Sequence, residues 1–124
     1  MSPIIRTTCI TLLTTVFCCN FVQAEFIKKT LMVAMRDGIE LSTDIYLDAS
    51  TNNQPVILIR TPYNKAGLAN IAVQFNQSGY VLVVQDCRGR FESAGIFIAY
   101  NNEGQDGFDT IEWITERSWS NGKV

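Results

Sequence analysis

The stretch PVILIRTPYNKAGLANIAVQFNQSGYVLVVQDCRG, from Pro55 to Gly89, decides the fold. Val56-Ile57-Leu58-Ile59 is apolar at every position, so both faces of that strand are expected to be covered, as in a mainly parallel sheet. Leu68, Ile71, Ala72 and Phe75 then fall at i, i+3, i+4 and i+7, one stripe of a helix, and Gly79 ends it. Tyr80-Val81-Leu82-Val83-Val84 is again apolar throughout and rich in β-branched residues. Strand, helix and a second doubly covered strand make a βαβ unit with a right-handed crossover.

Upstream, Phe26 to Arg36 and Glu40 to Leu47 flank Asp37-Gly38, a two-residue hairpin signal because glycine accepts positive φ. In the second arm Leu41, Thr43, Ile45 and Leu47 share one face, and Glu40, Ser42, Asp44 and Tyr46 share the other. That period of two predicts a half-buried antiparallel strand. Ala49 to Gln54 reads as a polar connector. Downstream, Asp86 to Gln105 reads as a loop rich in glycine and charge. Asp106, Asp109 and Glu112 precede or interleave with Ile111, Trp113, Ile114 and Arg117, acids early and a cation late, as suits a helix dipole. The three acids read as a solvated face biased to the helix N-terminus rather than as metal ligands. Ser120-Asn121-Gly122 is a turn, and Lys123-Val124 looks like the opening of a further strand. Asn76-Gln77-Ser78 matches a glycosylation sequon, a three-residue pattern common by chance.

The first 24 residues read differently. Met1 to Arg6 carries one positive charge, Thr7 to Ala24 carries none, and Ile10, Leu12, Leu13, Val16, Phe17 and Phe21 make an apolar run. Val22 and Ala24 supply the small residues of a cleavage site before Glu25. This is a secretory signal peptide, residues 1–24, cleaved after Ala24, and the product is expected to be exported to the periplasm or medium. Six threonines and asparagines dilute the segment, which is short for a membrane span of about 20 apolar residues, so no stable membrane anchor is expected after cleavage. Cys18 and Cys19 lack the small residue that precedes a lipidated cysteine.

With 124 residues, 47% hydrophobic and 18% charged, the chain fits one small globular domain and is too apolar for disorder. A net charge of −2 argues against nucleic acid or an acidic membrane surface as partner. Residues 25–124 keep one cysteine, Cys87, so no internal disulfide is available and a hydrophobic core must hold the fold. Cys87 itself reads as a small buried hydrophobe. There is no histidine. A complete Ser-His-Asp or Cys-His machine cannot exist in these residues, and His-ligated zinc is excluded.

Five segments carry a resemblance. They are Met35-Arg36-Asp37-Gly38; Arg60-Thr61-Pro62-Tyr63; Gln85 to Arg90 with Glu92-Ser93-Ala94-Gly95; Asn102 to Trp113; and Trp119 to Val124. In this order and spacing, residues 30–124 resemble the N-terminal catalytic region of the cocaine esterase / Xaa-Pro dipeptidyl-peptidase-like serine hydrolases, with the α-amino acid ester hydrolases as near relatives. The resemblance implies the N-terminal part of an α/β-hydrolase fold: antiparallel hairpin, βαβ and a further helix, incomplete at its C-terminal side over residues 25–124. It implies truncation before the nucleophile elbow, Gly-x-Ser-Tyr-x-Gly, which in the family begins a few residues past the position of Val124. No Gly-x-Ser-x-Gly occurs here. The family's acid and histidine come later still.

One family active-site residue maps onto this sequence. The tyrosine of the Thr-Pro-Tyr segment supplies a hydroxyl to the oxyanion hole, and its match is Tyr63. Pro62 fixes the backbone as the chain leaves the strand, at the carboxyl edge where open α/β sheets place ligands. Asp86 and Arg88 are expected to be a structural pair bracing loops, and Trp113 and Trp119 to be core or loop anchors. The function implied is that of an exported serine hydrolase cleaving ester or amide bonds, acyl or X-Pro peptide, through an acyl-enzyme. Its partner is a small-molecule ester, amide or peptide substrate, and no cofactor or metal is implied. The 124 residues alone, without serine nucleophile, histidine and acid, are expected to be inactive. The alternative is a non-enzymatic secreted binding module, a decayed hydrolase relative. The resemblance also sets the strand opening at Lys123 beside Val56–Ile59, on the side away from Tyr80–Val84.

Overall fold

The computed structural model describes residues 26–124. The signal peptide expected over residues 1–24 lies outside them. Four strands form one sheet: β1 (Phe26–Ala34), β2 (Glu40–Asp48), β3 (Val56–Thr61) and β4 (Val81–Asp86). A 3₁₀ segment (Lys65–Ile71) runs into α1 (Ala72–Gln77) between β3 and β4, and α2 (Glu103–Thr115) follows β4. The order across the sheet is β1-β2-β4-β3. β1–β2 and β2–β4 are antiparallel, and β3–β4 is parallel, so hairpin, βαβ unit and later helix stand as expected. Among the described residues no helix is long and apolar enough to cross a membrane.

The hairpin turn is one residue longer than the sequence suggests. Gly38 N–H donates to Met35 O at 2.9 Å, and Met35 N–H donates to Ile39 O at 2.8 Å. Arg36, Asp37 and Gly38 therefore form a three-residue connection with Gly38 at φ +81°.

β2 corrects the half-buried reading, because it is covered on both faces from Leu41 to Leu47. It lies inside the sheet, between β1 and β4. Ile45 and Leu47 join Val56, Val81, Val83 and Ile114 of α2, with Trp113 and Trp119 packed against them. Tyr46 joins Leu82, Val84 and Ala72 on the other face, with Leu68, Ile71 and Phe75 alongside. The predicted helical stripe thus packs as a unit, although its first turns are 3₁₀. The two tryptophans meet edge to face at 6.1 Å and anchor the end of α2, as expected.

Asn76 clips this layer together. Its Nδ2 donates to Tyr46 O at 3.0 Å and to Tyr80 O at 2.8 Å. The sequon's amide nitrogen is therefore a structural donor between α1 and the strands. At the far side of β3, Gln54 and Ser120 form a parallel bridge, and Val56 N–H donates to Lys123 O at 2.9 Å. The residues at Lys123 thus begin alongside β3, opposite β4.

α2 starts at Glu103, and its sheet-facing stripe is Asp106, Thr110 and Ile114. Asp106 is 1% exposed, which corrects the solvated-face reading of the three acids. Asp109 is bonded to Arg36, and only Glu112 is an exposed acid of the expected kind.

Candidate functional site

β3 and β4 are parallel, so their carboxyl ends lie side by side, and the loops that leave them enclose a cavity of about 440 Å³. Tyr63 lines it two residues past β3, with Arg60, Pro62, Cys87, Arg90 and Tyr100 among its neighbours. The Tyr63 side chain is 84% exposed, so its phenol is open to a ligand.

The backbone around Tyr63 is held from three directions. Tyr63 N–H donates to Thr61 Oγ1 at 3.0 Å. Pro62 O accepts from Arg90 Nε at 2.9 Å. Lys65 N–H donates to Asp86 Oδ1 at 2.8 Å. Between them Asn64 sits at φ +81° and its side chain accepts from Ala66 N–H, starting the 3₁₀ segment. Tyr63 therefore projects from a fixed loop rather than a loose one.

Lys65 is the residue that sequence reasoning missed. Its side chain is 4% exposed and its ammonium bonds Glu92, with Asp44 Oδ1 and Asp86 Oδ2 each at 3.6 Å. Burial acts to lower its pKa, and the carboxylates outweigh that and hold it above the usual lysine value. Glu92 is held below its usual range by the same bond to Lys65. Asp44 also receives Lys28 at 3.0 Å and Thr30 Oγ1 at 2.7 Å. A lone lysine in a polar loop leaves no periodic mark in a sequence, so nothing short of the fold reveals it.

Asp86 and Arg88 are both structural, as expected, but they are not each other's partners. Asp86 serves Lys65, whereas Arg88 forks onto Asp106 at 2.6 and 3.0 Å and onto Asp37 at 2.7 Å. These bonds raise the Arg88 pKa, Asp106 first and Asp37 second. The pairings bridge the hairpin turn, the end of β4 and α2, which short-range sequence logic cannot anticipate. Beside them Arg60 donates to Gln85 Oε1 at 2.8 Å and to Glu103 Oε2 at 2.6 Å. Cys87 is buried, and its thiol is pushed up to about 11 by that burial and then by Glu103. It stays a thiol at neutral pH, which fits a packing role rather than a nucleophile.

The backbone of the site is strained. Asn64, Phe91 and Tyr100 adopt φ values of +81°, +47° and +65° without being glycine. Left-handed aromatic residues are outliers, and such strain gathers at functional sites. Gly89, at φ +68°, has room for no side chain, since a Cβ there would lie 2.1 Å from Phe97 N. That close approach sets Phe97 beside Arg90, whose guanidinium carbon is 5.1 Å from the ring centroid. The arrangement offers two exposed phenol hydroxyls, Tyr63 and Tyr100, with a cation and aromatic walls. Among the described residues no group of three or more His, Cys, Asp or Glu side chains could hold a metal ion.

Residues 37–124 match the X-Pro dipeptidyl-peptidase (S15 family). The chain is 36% identical over 104 residues to cocaine esterase from Rhodococcus sp. (strain MB1 Bresler), covering 79% of this chain and 18% of that protein. Among solved structures it is similar to an α-amino acid ester hydrolase, at 30% identity and a TM-score of 0.71, covering 95% of this chain and 24% of that one. A CocE/NonD family hydrolase from Staphylococcus aureus is similar at 27% identity and a TM-score of 0.66, over 78% of this chain and 22% of that one. The four-stranded sheet and its helices match the N-terminal part of the CocE/NonD α/β-hydrolase fold. The chain spans about a fifth of the length of the curated relatives it matches.

Proposed function

The chain belongs to the X-Pro dipeptidyl-peptidase (S15) family, and from that premise we propose that it forms the oxyanion-binding side of a serine hydrolase acting on ester or amide bonds, acyl or X-Pro peptide. The observation that carries this reading is Tyr63: an open phenol at the carboxyl edge of β3, on a loop fixed by Arg90 and Lys65, facing a cavity. When a serine attacks the substrate carbonyl, negative charge grows on the carbonyl oxygen. A hydroxyl already aimed at that point stabilises the charge without having to reorganise.

In this proposal the serine, the histidine that shuttles its proton and the orienting acid come from polypeptide outside these 124 residues. The acyl-enzyme then forms on that serine, and water releases it. The reading assigns no cofactor or metal to the step. It also has the protein exported, with residues 1–24 removed after Ala24.

Two measurements test it. The 124-residue chain, having no triad, should take up no fluorophosphonate serine probe. In the longer protein that contains this sequence, Tyr63→Phe should lower kcat by about 10²–10³ while leaving KM near its original value. An unchanged kcat removes Tyr63 from the oxyanion hole. Stoichiometric labelling of the 124-residue chain contradicts the division of the site proposed here.

A further inference from the structure

Arg90 stands apart from the other arginines among the described residues. Arg36, Arg60, Arg88 and Arg117 each pair with a carboxylate, and Arg90 pairs with none. Its Nε is fixed on Pro62 O at 2.9 Å. Its guanidinium carbon lies 5.2 Å from the Phe91 ring centroid and 5.1 Å from that of Phe97, so two aromatic faces hold the cation. Nη1 and Nη2 have no partner among the described residues and remain as a free fork. The other charges of the cavity, Arg60 and Glu103, are closed on each other at 2.6 Å. What remains is one rigid, unneutralised cation beside Tyr63, with the aromatic walls of Phe97 and Tyr100.

The local backbone is built to hold this arrangement. Gly89 lets the chain at Ile96–Phe97 approach closely enough to bring Phe97 onto Arg90. Phe91 reaches it from a left-handed conformation that an aromatic residue rarely adopts. A cation needed only for solubility requires neither feature.

We propose that Arg90 anchors a carboxylate subsite, so that the substrate is an ester or amide bearing a carboxylate on an apolar, aromatic-sized body. The carboxylate accepts from Nη1 and Nη2, a planar two-oxygen group meeting a planar fork. The body lies against Phe97 and Tyr100, and the bond to be cleaved lies toward Tyr63. A single unneutralised charge suits a monoanion. The word substrate rests on the hydrolase reading above, whereas the carboxylate site is a property of this chain by itself.

The probe is benzoate, with benzamide as a neutral molecule of the same shape. Urea unfolding of the 124-residue chain is followed with each at about 50 mM, with a dissociation constant for benzoate of about 1–10 mM expected. At ten times its dissociation constant, benzoate should raise the folding equilibrium constant about elevenfold, and benzamide should not. The Arg90 Nε–Hε resonance should move with benzoate and saturate. Arg90→Gln should abolish the benzoate effect, and Arg117→Gln should keep it. Where Arg90→Gln does not fold, Arg90→Lys decides: affinity at least threefold weaker supports the fork, and equal affinity overturns it. Equal effects of benzoate and benzamide, no binding at all, or benzoate stabilisation that survives Arg90→Gln also overturn it. Tyr63→Phe should bind benzoate as the parent does. Loss of the carboxylate subsite would therefore leave the kcat test of Tyr63 standing, and failure of that test would leave the benzoate result standing.

Discussion

Two ionic clusters flank the carboxyl end of β4 on opposite faces of the sheet, and they are built on different cations. On the α2 face, the guanidiniums of Arg60 and Arg88 meet Asp37, Glu103 and Asp106. On the α1 face, the ammoniums of Lys28 and Lys65 meet Asp44, Asp86 and Glu92. Each face sets two cations against three acids. On the arginine side, forks reach several oxygens at 2.6–3.2 Å, and a neutral spine of Thr43, Gln85 and Thr110 hydrogen-bonds alongside. On the lysine side one ammonium must serve three carboxylates, and it stands 3.6 Å from two of them. Asp86 Oδ2 consequently has no hydrogen bond, and on the arginine side Arg60 Nη2, 3.7 Å from Asp106 Oδ2, has none either. A planar fork distributes a charge that a point charge must ration. The lysine cluster depends on one residue, whereas the arginine cluster is redundant.

The sharpest way to break this comparison is Lys65→Met. It leaves two fully buried carboxylates, Asp44 with Lys28 and Thr30 and Asp86 with only the backbone N–H of residue 65, and should cost about 3–5 kcal/mol, enough to unfold a marginal domain. Urea denaturation measures it, and a loss under about 1 kcal/mol would show that the cluster does not depend on Lys65. Asp106→Asn should cost less, about 1.5–3 kcal/mol, because Arg88 keeps Asp37 and Arg60 keeps Glu103. If Asp106→Asn proved the more damaging of the two, the claimed redundancy would be wrong. Thr110→Val removes one neutral hydroxyl donor, within reach of Asp106 O, Gln85 Oε1 and Met35 Sδ, and should cost about 1 kcal/mol by the same measurement.

The two faces should also make stability depend on pH. Asp37, Glu92 and Asp109 are held below their ordinary values by Arg88, Lys65 and Arg36 respectively. Their contribution is present above the unfolded carboxylate range and is lost as pH falls through the lower folded values. Lys65 and Lys28 are raised by their carboxylate partners, and the Tyr46 phenol is raised by burial and then by Asp44. Those contributions are complete below the unfolded values and are lost as pH rises through the folded ones. Stability should be flat from about pH 5 to 8.5 and fall on both sides, the alkaline fall starting with Cys87. That fall draws on Lys28, Lys65 and Tyr46 of the α1 face and on Cys87, beside Glu103, with its thiol pushed up to about 11. Lys65→Arg should therefore move the alkaline midpoint of unfolding upward, and an unmoved midpoint would separate that limb from Lys65.

Element types and order were legible because they rest on local patterns: unbroken apolar runs for β3 and β4, a helical stripe from Leu68 to Phe75, and a glycine in the hairpin turn. The charged interior was not legible, for a physical reason. Alternation along β2 marks Ser42, Asp44 and Tyr46 as one polar-rich face, and polar normally means wet. Here Asp44 is dry because Lys28 and Thr30 of β1 and Lys65 of the 3₁₀ segment satisfy it. Asp106 misleads in the same way, since Arg88 lies eighteen residues away and Arg60 comes from a different strand. Of the site itself, Tyr63 came from a resemblance of motifs. Arg90 and the strain at Phe91 and Tyr100 have no sequence mark beyond a glycine-rich loop.

The contact between Val56 N–H and Lys123 O gives the sheet a direction of growth. With the Gln54–Ser120 bridge it fixes both the polarity and the register of a strand lying against the outer side of β3. The opposite boundary of the sheet is β1, where Lys28 and Lys29 supply the charges that discourage further pairing. Along β3, Ile57, Leu58 and Ile59 offer no charge before Arg60. Trp119 to Lys123 thus lie parallel to the outer side of β3, in a register that three backbone hydrogen bonds set without reference to any side chain.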